Sequence, residues 1–333
     1  MTGRAPDGKL ETGSTGLWLG GRDSRTIRRE GRMASWQGRV LRILLEINRR
    51  LSNRSADRDV AKHRADLERL CRVFKPIGPI RCEPVAAGGV PAEWVAPQGA
   101  QPSRAILFVH GGSFIAGSIV SHRTLAGNVA IASKARALLI DYRLAPEHPF
   151  PAAVEDTVAA YEWLLAQGLA PSQVVVAGDS AGGNLTLALL IHLRDRQQPM
   201  PAGAVCLCPA PDLSFSGESA VTNLKRDIML NMVEERKYIE AYLNGADPRA
   251  PLASPIYGDL RGLPPLLMQV GSHELLLSDV ERFAEKAKAA GVDVTLEVWP
   301  EMQHDWQVAA KLLPEGRQAI AHVGDFVERV FSA

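Results

Sequence analysis

The run from Val174 to Gly183 reads V-V-V-A-G-D-S-A-G-G, an apolar β-branched stretch that leads through small residues into a helix-type segment at Asn184. Small residues on both sides of Ser180 let the backbone turn sharply from strand to helix, lifting the hydroxyl out of a sheet and setting it at a helix N-terminus. A serine in that position is a candidate nucleophile. Its hydroxyl is too weakly acidic to attack an acyl group unaided, so it needs a histidine base and a carboxylate to fix the histidine tautomer.

His304 follows the strand-type run Val294 to Trp299, late in the chain, and is the expected base. The other histidines are less well placed. His110 sits in a loop after an early strand, His122 and His148 precede the nucleophile, and His192 lies inside the helix after it. His322 is in the terminal helix, His63 is in an N-terminal helix, and His273 adjoins the expected acid. For that acid, Glu274 stands just beyond the run Leu266 to Val270, with Asp279 as the competitor at the start of the next helix, where the helix dipole accounts for its charge. Asp305, next to the base, is expected to point away from it.

Attack on a carbonyl places negative charge on oxygen, which preformed backbone N–H groups stabilise best. His110, Gly111, Gly112 and Ser113 follow an early apolar strand. Gly111, Gly112 and Ala181 are the expected donors, and His110 is read as a hydrogen-bonded structural residue.

The elements that must carry these groups are legible from periodicity. Continuous apolar runs at Ala105 to His110, Ala137 to Tyr142, Gln173 to Ala177, Ala204 to Cys208, Leu266 to Val270 and Val294 to Trp299 read as strands covered on both faces. Helical stretches at Leu125 to Ala135, Ala152 to Ala166, Asn184 to Arg196 and Val280 to Ala290 lie between them. The alternation predicts an α/β architecture, a mostly parallel central sheet with helices on both faces. Shorter β-rich runs fall at Arg81 to Val85 and Glu93 to Val95. Residues 1 to 32, with seven Gly, six Arg and few apolar residues, are expected to form a disordered tail. Amphipathic helices follow over Ser35 to Leu51 and from an N-cap at Ser55 to Phe74, so 33–75 is assigned as an N-terminal helical segment and 76–333 as the main domain. The helices suit a cap over a pocket, a membrane surface or simple packing on the body. A second cap segment is expected at about 212–251, including a helix from Met229 to Leu243.

At 333 residues, 46% hydrophobic and 23% charged, the composition is that of a globular chain able to bury a sizeable core, which excludes general disorder. Residues 1 to 75 hold 18 basic and 9 acidic side chains against 20 and 28 in the remainder. With no nucleic-acid motif, this asymmetry is equally served by a basic segment seated on an acidic body. No apolar run approaches the ~20 residues of a membrane span, and the N-terminal stretch lacks the apolar region of a secretory signal. Four cysteines without a C-x-x-C pair suit a reducing cytoplasm and offer no zinc spacing. Cys206 and Cys208 are expected to share one face of a strand. No metal or cofactor is expected.

Four segments together carry a family resemblance: H-G-G-S-F at 110–114, D-Y-R-L-A-P-E-H-P-F-P-A-A at 141–153, G-D-S-A-G-G-N at 178–184 and M-Q-H-D-W at 302–306. In their order and spacing the chain resembles the bacterial esterase branch of the hormone-sensitive lipase family of α/β-hydrolases, over roughly residues 76 to 331. The resemblance implies a Ser180, Glu274, His304 triad, an oxyanion hole from Gly111, Gly112 and Ala181, and a helical cap. It also implies hydrolysis of short-acyl carboxylic esters and leaves a homodimer as an expectation. Two departures stand out: Ser113 replaces the third glycine of H-G-G-G, and Glu274 stands where many members have Asp. The same triad could serve amide, thioester or lactone cleavage, and members of the fold that lose the histidine act as ligand receptors.

Overall fold

A computed structural model of the protein describes residues 27–29, 34–52 and 60–333. The expected tail lies outside the described residues except for Ile27–Arg29 (β1), which pairs in parallel with Val294–Trp299 (β9). The proposed N-cap at Ser55 also lies outside them.

The remaining strands are β2 (Ile80–Ala87), β3 (Val90–Pro97), β4 (Gln101–Val109), β5 (Ala135–Ile140), β6 (Val174–Asp179), β7 (Gly203–Leu207) and β8 (Leu266–Gly271). They form one sheet in the order β1-β9-β8-β7-β6-β4-β5-β3-β2. Pairing is parallel from β1 to β5 and antiparallel for β5 with β3 and β3 with β2. The two short β-rich runs expected near residues 81 and 93 are thus full eight-residue strands of a hairpin.

Successive strand residues point to opposite faces, so the continuous apolar runs feed two cores. Leu107, Val176 and Met268 pack on one face with Ala152–Ala166 (α4), Ala181–Asp195 (α5) and Leu277–Ala289 (α8). Phe108, Val175 and Leu267 pack on the other with Ile119–Ser133 (α3) and Pro314–Phe331 (α9). The expectation for the cysteines fails for a local reason: β7 ends at Leu207, and Cys208 turns into a left-handed backbone at φ 46°. Cys206 therefore packs in the first core, while Cys208 packs with Trp299 and Trp306 in a third cluster.

Trp36–Ser52 (α1) and Val60–Cys71 (α2) precede the sheet, and Ser219–Thr222 (α6) and Met232–Leu243 (α7) lie in the long interval between β7 and β8. The strands β4, β6, β8 and β9 end at the loops that carry His110–Ser113, Ser180, Glu274 and His304. Parallel alignment brings those four loops to one edge.

Candidate active site

Ser180 occupies the turn between β6 and α5 with φ 51° and ψ −117°, a conformation L-residues seldom adopt. The turn closes because its flanks are bare. A Cβ on Gly178 would run into the Gly182 backbone, and one on Gly182 into the carbonyls of Val109 and His110. The Ser180 N–H donates to the Leu207 carbonyl at 2.8 Å. Asn184 donates to the carbonyls of Ala210 and Ala253, both at 2.8 Å, tying the start of α5 to the long insertion.

Beyond β8, the Glu274 side chain is fully buried and accepts from the Gly271 N–H at 2.5 Å through Oε1. Its Oε2 lies 2.7 Å from His304 Nδ1. Asp279, the alternative acid, is directed elsewhere, against Gly217 and the Arg282 guanidinium at 2.8 Å. Of the two carboxylates, Glu274 is the one brought to the imidazole.

Asp305 departs from expectation. It adopts a left-handed backbone at φ 56°, and its Oδ2 lies 3.4 Å from His304 Nε2 instead of pointing away. That distance exceeds an ordinary hydrogen bond but is close enough for strong Coulombic attraction. Burial alone favours the neutral imidazole, yet the carboxylates of Asp305, Glu274 and Asp227 outweigh it and raise the pKa of His304.

The loop after β4 corrects one assignment. The Gly111 N–H already donates to Asp179 Oδ2 at 3.1 Å, so it is not free to meet a substrate oxygen. Asp179 Oδ2 is held in turn by His122 Nε2 at 3.2 Å. Among the described residues nothing accepts from the N–H groups of Gly112, Ser113 or Ala181. Gly111 is instead required for space, since a Cβ there would strike the Asp179 carboxylate. His110 behaves as expected: its Nδ1 lies 2.8 Å from the Gly111 carbonyl, its ring stacks on Tyr142, and burial pushes its pKa down to about 3. The conspicuous 141–153 motif braces this loop. Tyr142 donates through its hydroxyl to the His110 carbonyl at 2.9 Å, and the Ala145 N–H donates to Phe114 at 3.0 Å.

Ser180, His304, Gly112 and Ser113 line one cavity of about 1140 Å³ including its open mouth, walled further by residues of α1, α2 and α7. Two residues there escaped sequence reasoning. Glu235, on α7, is buried and accepts from the Ser113 hydroxyl at 2.7 Å; burial raises its pKa to about 7 against the opposing pull of that bond. His63, which the sequence places only within an N-terminal helix, also lines the cavity, its ring 4.7 Å from that of Tyr238. Nothing short of tertiary packing could have signalled either.

Cys208, Glu274 and His304 each bring one polar atom within 4.8 Å of the others. They do not fit a metal ion. Both Glu274 oxygens are already engaged, and burial, with Glu274 and Asp305 adding to it, pushes the Cys208 thiol up and keeps it protonated.

A family model described as the alpha/beta hydrolase fold matches residues 106–308. The chain belongs to the α/β-hydrolase fold family. This α/β-hydrolase is 46% identical over 295 residues to an acetyl-hydrolase of Streptomyces hygroscopicus, covering 89% of this chain and 97% of the relative. It is 38% identical to an esterase of Acinetobacter venetianus, covering 78% and 86%. Among solved structures it is similar to an esterase from the bacterial hormone-sensitive lipase family, at 44% identity and a TM-score of 0.85, over 90% of this chain and all of that one. No described helix is long and apolar enough to cross a membrane.

Proposed function

We propose that the protein is a serine carboxylesterase acting on short-acyl esters through an acyl-enzyme at Ser180, with His304 as general base and Glu274 as the acid of the triad. The observation that carries the reading is the 2.7 Å contact of His304 Nδ1 with the buried Glu274 carboxylate, the same imidazole lining the cavity that holds Ser180. Ser180 Oγ attacks the ester carbon as its proton passes to His304 Nε2, and the imidazolium so formed is stabilised by Glu274. The oxyanion accepts from the N–H groups of Gly112, Ser113 and Ala181, the last at the N-terminus of α5. His304 then gives its proton to the departing alkoxide, and water, activated by the same imidazole, releases the acid.

The helices α1, α2 and α7 act as a cap over the cavity in this reading. Four free thiols agree with work in the cytoplasm, and pairing of two copies is checked by analytical ultracentrifugation. The function itself is tested with Ser180→Ala, which is expected to abolish hydrolysis of p-nitrophenyl butyrate and labelling by a fluorophosphonate. Undiminished turnover in that variant would overturn the assignment.

A further inference from the structure

The space that meets Ser180 is divided into two unequal parts. One, about 270 Å³ including its open side, is bounded by Ser113, Ala181, Phe215, Ile239 and Leu276 and does not reach His304. The other is the large cavity with His304 in its wall. It adjoins a further, mainly apolar space of about 830 Å³ against α1 and α2, and Leu45, Leu67, Leu70 and Met229 line both.

The chemistry of collapse decides which end of an ester occupies which part. The proton that His304 returns must reach the departing oxygen across one hydrogen bond, so the alcohol's carbons extend from the wall that holds His304. The acyl carbon stays on Ser180, with its oxygen toward the N–H groups of Ser113 and Ala181, and its chain enters the small part. There Phe215, Ile239 and Leu276, all buried, stop it after a few carbons.

Resting on the esterase reading above, we infer that the protein's substrates pair a short acyl group with a large apolar alcohol, whose chain lies along Leu45, Leu67, Leu70 and Met229. Each methylene buried there is worth about fourfold in kcat/KM, whereas a methylene added to the acyl chain must displace packed side chains. The preference is therefore set by where the carbons are, not by how many the ester contains.

Constitutional isomers test this directly, because hexyl acetate and ethyl hexanoate contain the same atoms and the same scissile bond. With the purified full chain, acid release is expected to be on the order of 250-fold faster in kcat/KM for hexyl acetate, given four methylenes moved between compartments at about fourfold each. A ratio of one or below overturns the inference. Leu70→Trp, which fills the alcohol channel, and Leu276→Ala, which opens the acyl end, are each expected to lower the ratio about tenfold, from opposite sides. Ratios in both variants equal to that of the parent would also overturn it. Ser180-dependent hydrolysis of p-nitrophenyl acetate separates the two readings: if it persists while the isomer ratio fails, only the alcohol assignment falls. If it is absent, the esterase reading falls and takes the alcohol assignment with it.

Discussion

The Ser113 hydroxyl donates to Glu235 at 2.7 Å, joining the loop after β4 to α7, a helix that lines the cavity. Ser113 holds φ 52°, a left-handed value that glycine takes without strain and serine takes at a cost of about 1 kcal/mol. The hydrogen bond to a buried carboxylate offsets that cost and explains why a serine can stand where the family motif has glycine.

Removing this tether separates the two effects. Ser113→Ala loses the bond, keeps the backbone strain and leaves Glu235 without its donor, with an expected destabilisation of about 2 kcal/mol. Ser113→Gly also loses the bond but relieves the strain, and should fall between parent and alanine variant. Urea denaturation of the three proteins checks the order.

Glu235 also gives stability a pH dependence. Its folded pKa, raised by burial from 4.5 to about 7, means that the folded state binds the proton more tightly than the unfolded chain. Its contribution is thus fully present below about pH 4.5 and is lost as pH rises toward 7, on the order of 1 kcal/mol per pH unit. Glu235→Gln cannot ionise yet keeps an acceptor for Ser113. Its denaturation midpoint should lack this component of decline between pH 5 and 7. A profile that parallels the parent's would show that Glu235 is not the group responsible.

The carboxylate beside His304 Nε2 should set the acidic limb of the rate profile. Activity requires neutral His304, and Asp305 favours the charged form. Asp305→Asn removes that charge, lowers the imidazole pKa and moves the acidic limb of kcat/KM toward lower pH by about one unit, equivalent to about 1.4 kcal/mol. A limb that moves upward or stays in place contradicts the electrostatic role.

The two candidate acids are separable by substitution. Glu274→Gln leaves His304 Nδ1 facing a neutral amide, and kcat is expected to fall by about 10²- to 10⁴-fold. Asp279→Asn, whose neighbours are Arg282 and Gly217, should leave kcat within about threefold and act on stability instead. Steady-state kinetics with p-nitrophenyl butyrate distinguishes them.

Gly182 is a position of space. A Cβ there would enter the carbonyls of Val109 and His110. Gly182→Ala is expected to cost about 3 kcal/mol or more and to yield little folded protein; thermal denaturation of whatever purifies measures it.

The one-dimensional pattern sufficed wherever a local rule governs the outcome. Runs such as Val174 to Ala177 had to be strands buried on both faces, and the small residues around Ser180 had to make a sharp turn. Parallel order then fixed which end of the sheet carries the loops. The helix Ala152–Ala166 and the strand Val294–Trp299 fall where periodicity put them, because apolar spacing alone decides such segments.

Contacts between distant segments were decided only by the folded chain. Nothing near Gly111 in the sequence announces that Asp179, 68 residues later, takes its N–H, and nothing near Glu235 announces a partner at Ser113. Sequence position offers both Glu274 and Asp279 to the base, and only the fold turns the imidazole to Glu274. Sequence periodicity encodes which face of an element is apolar. Which polar groups meet across the gap between elements depends on how those faces dock, and burial makes each such meeting count by removing the water that would otherwise satisfy both partners.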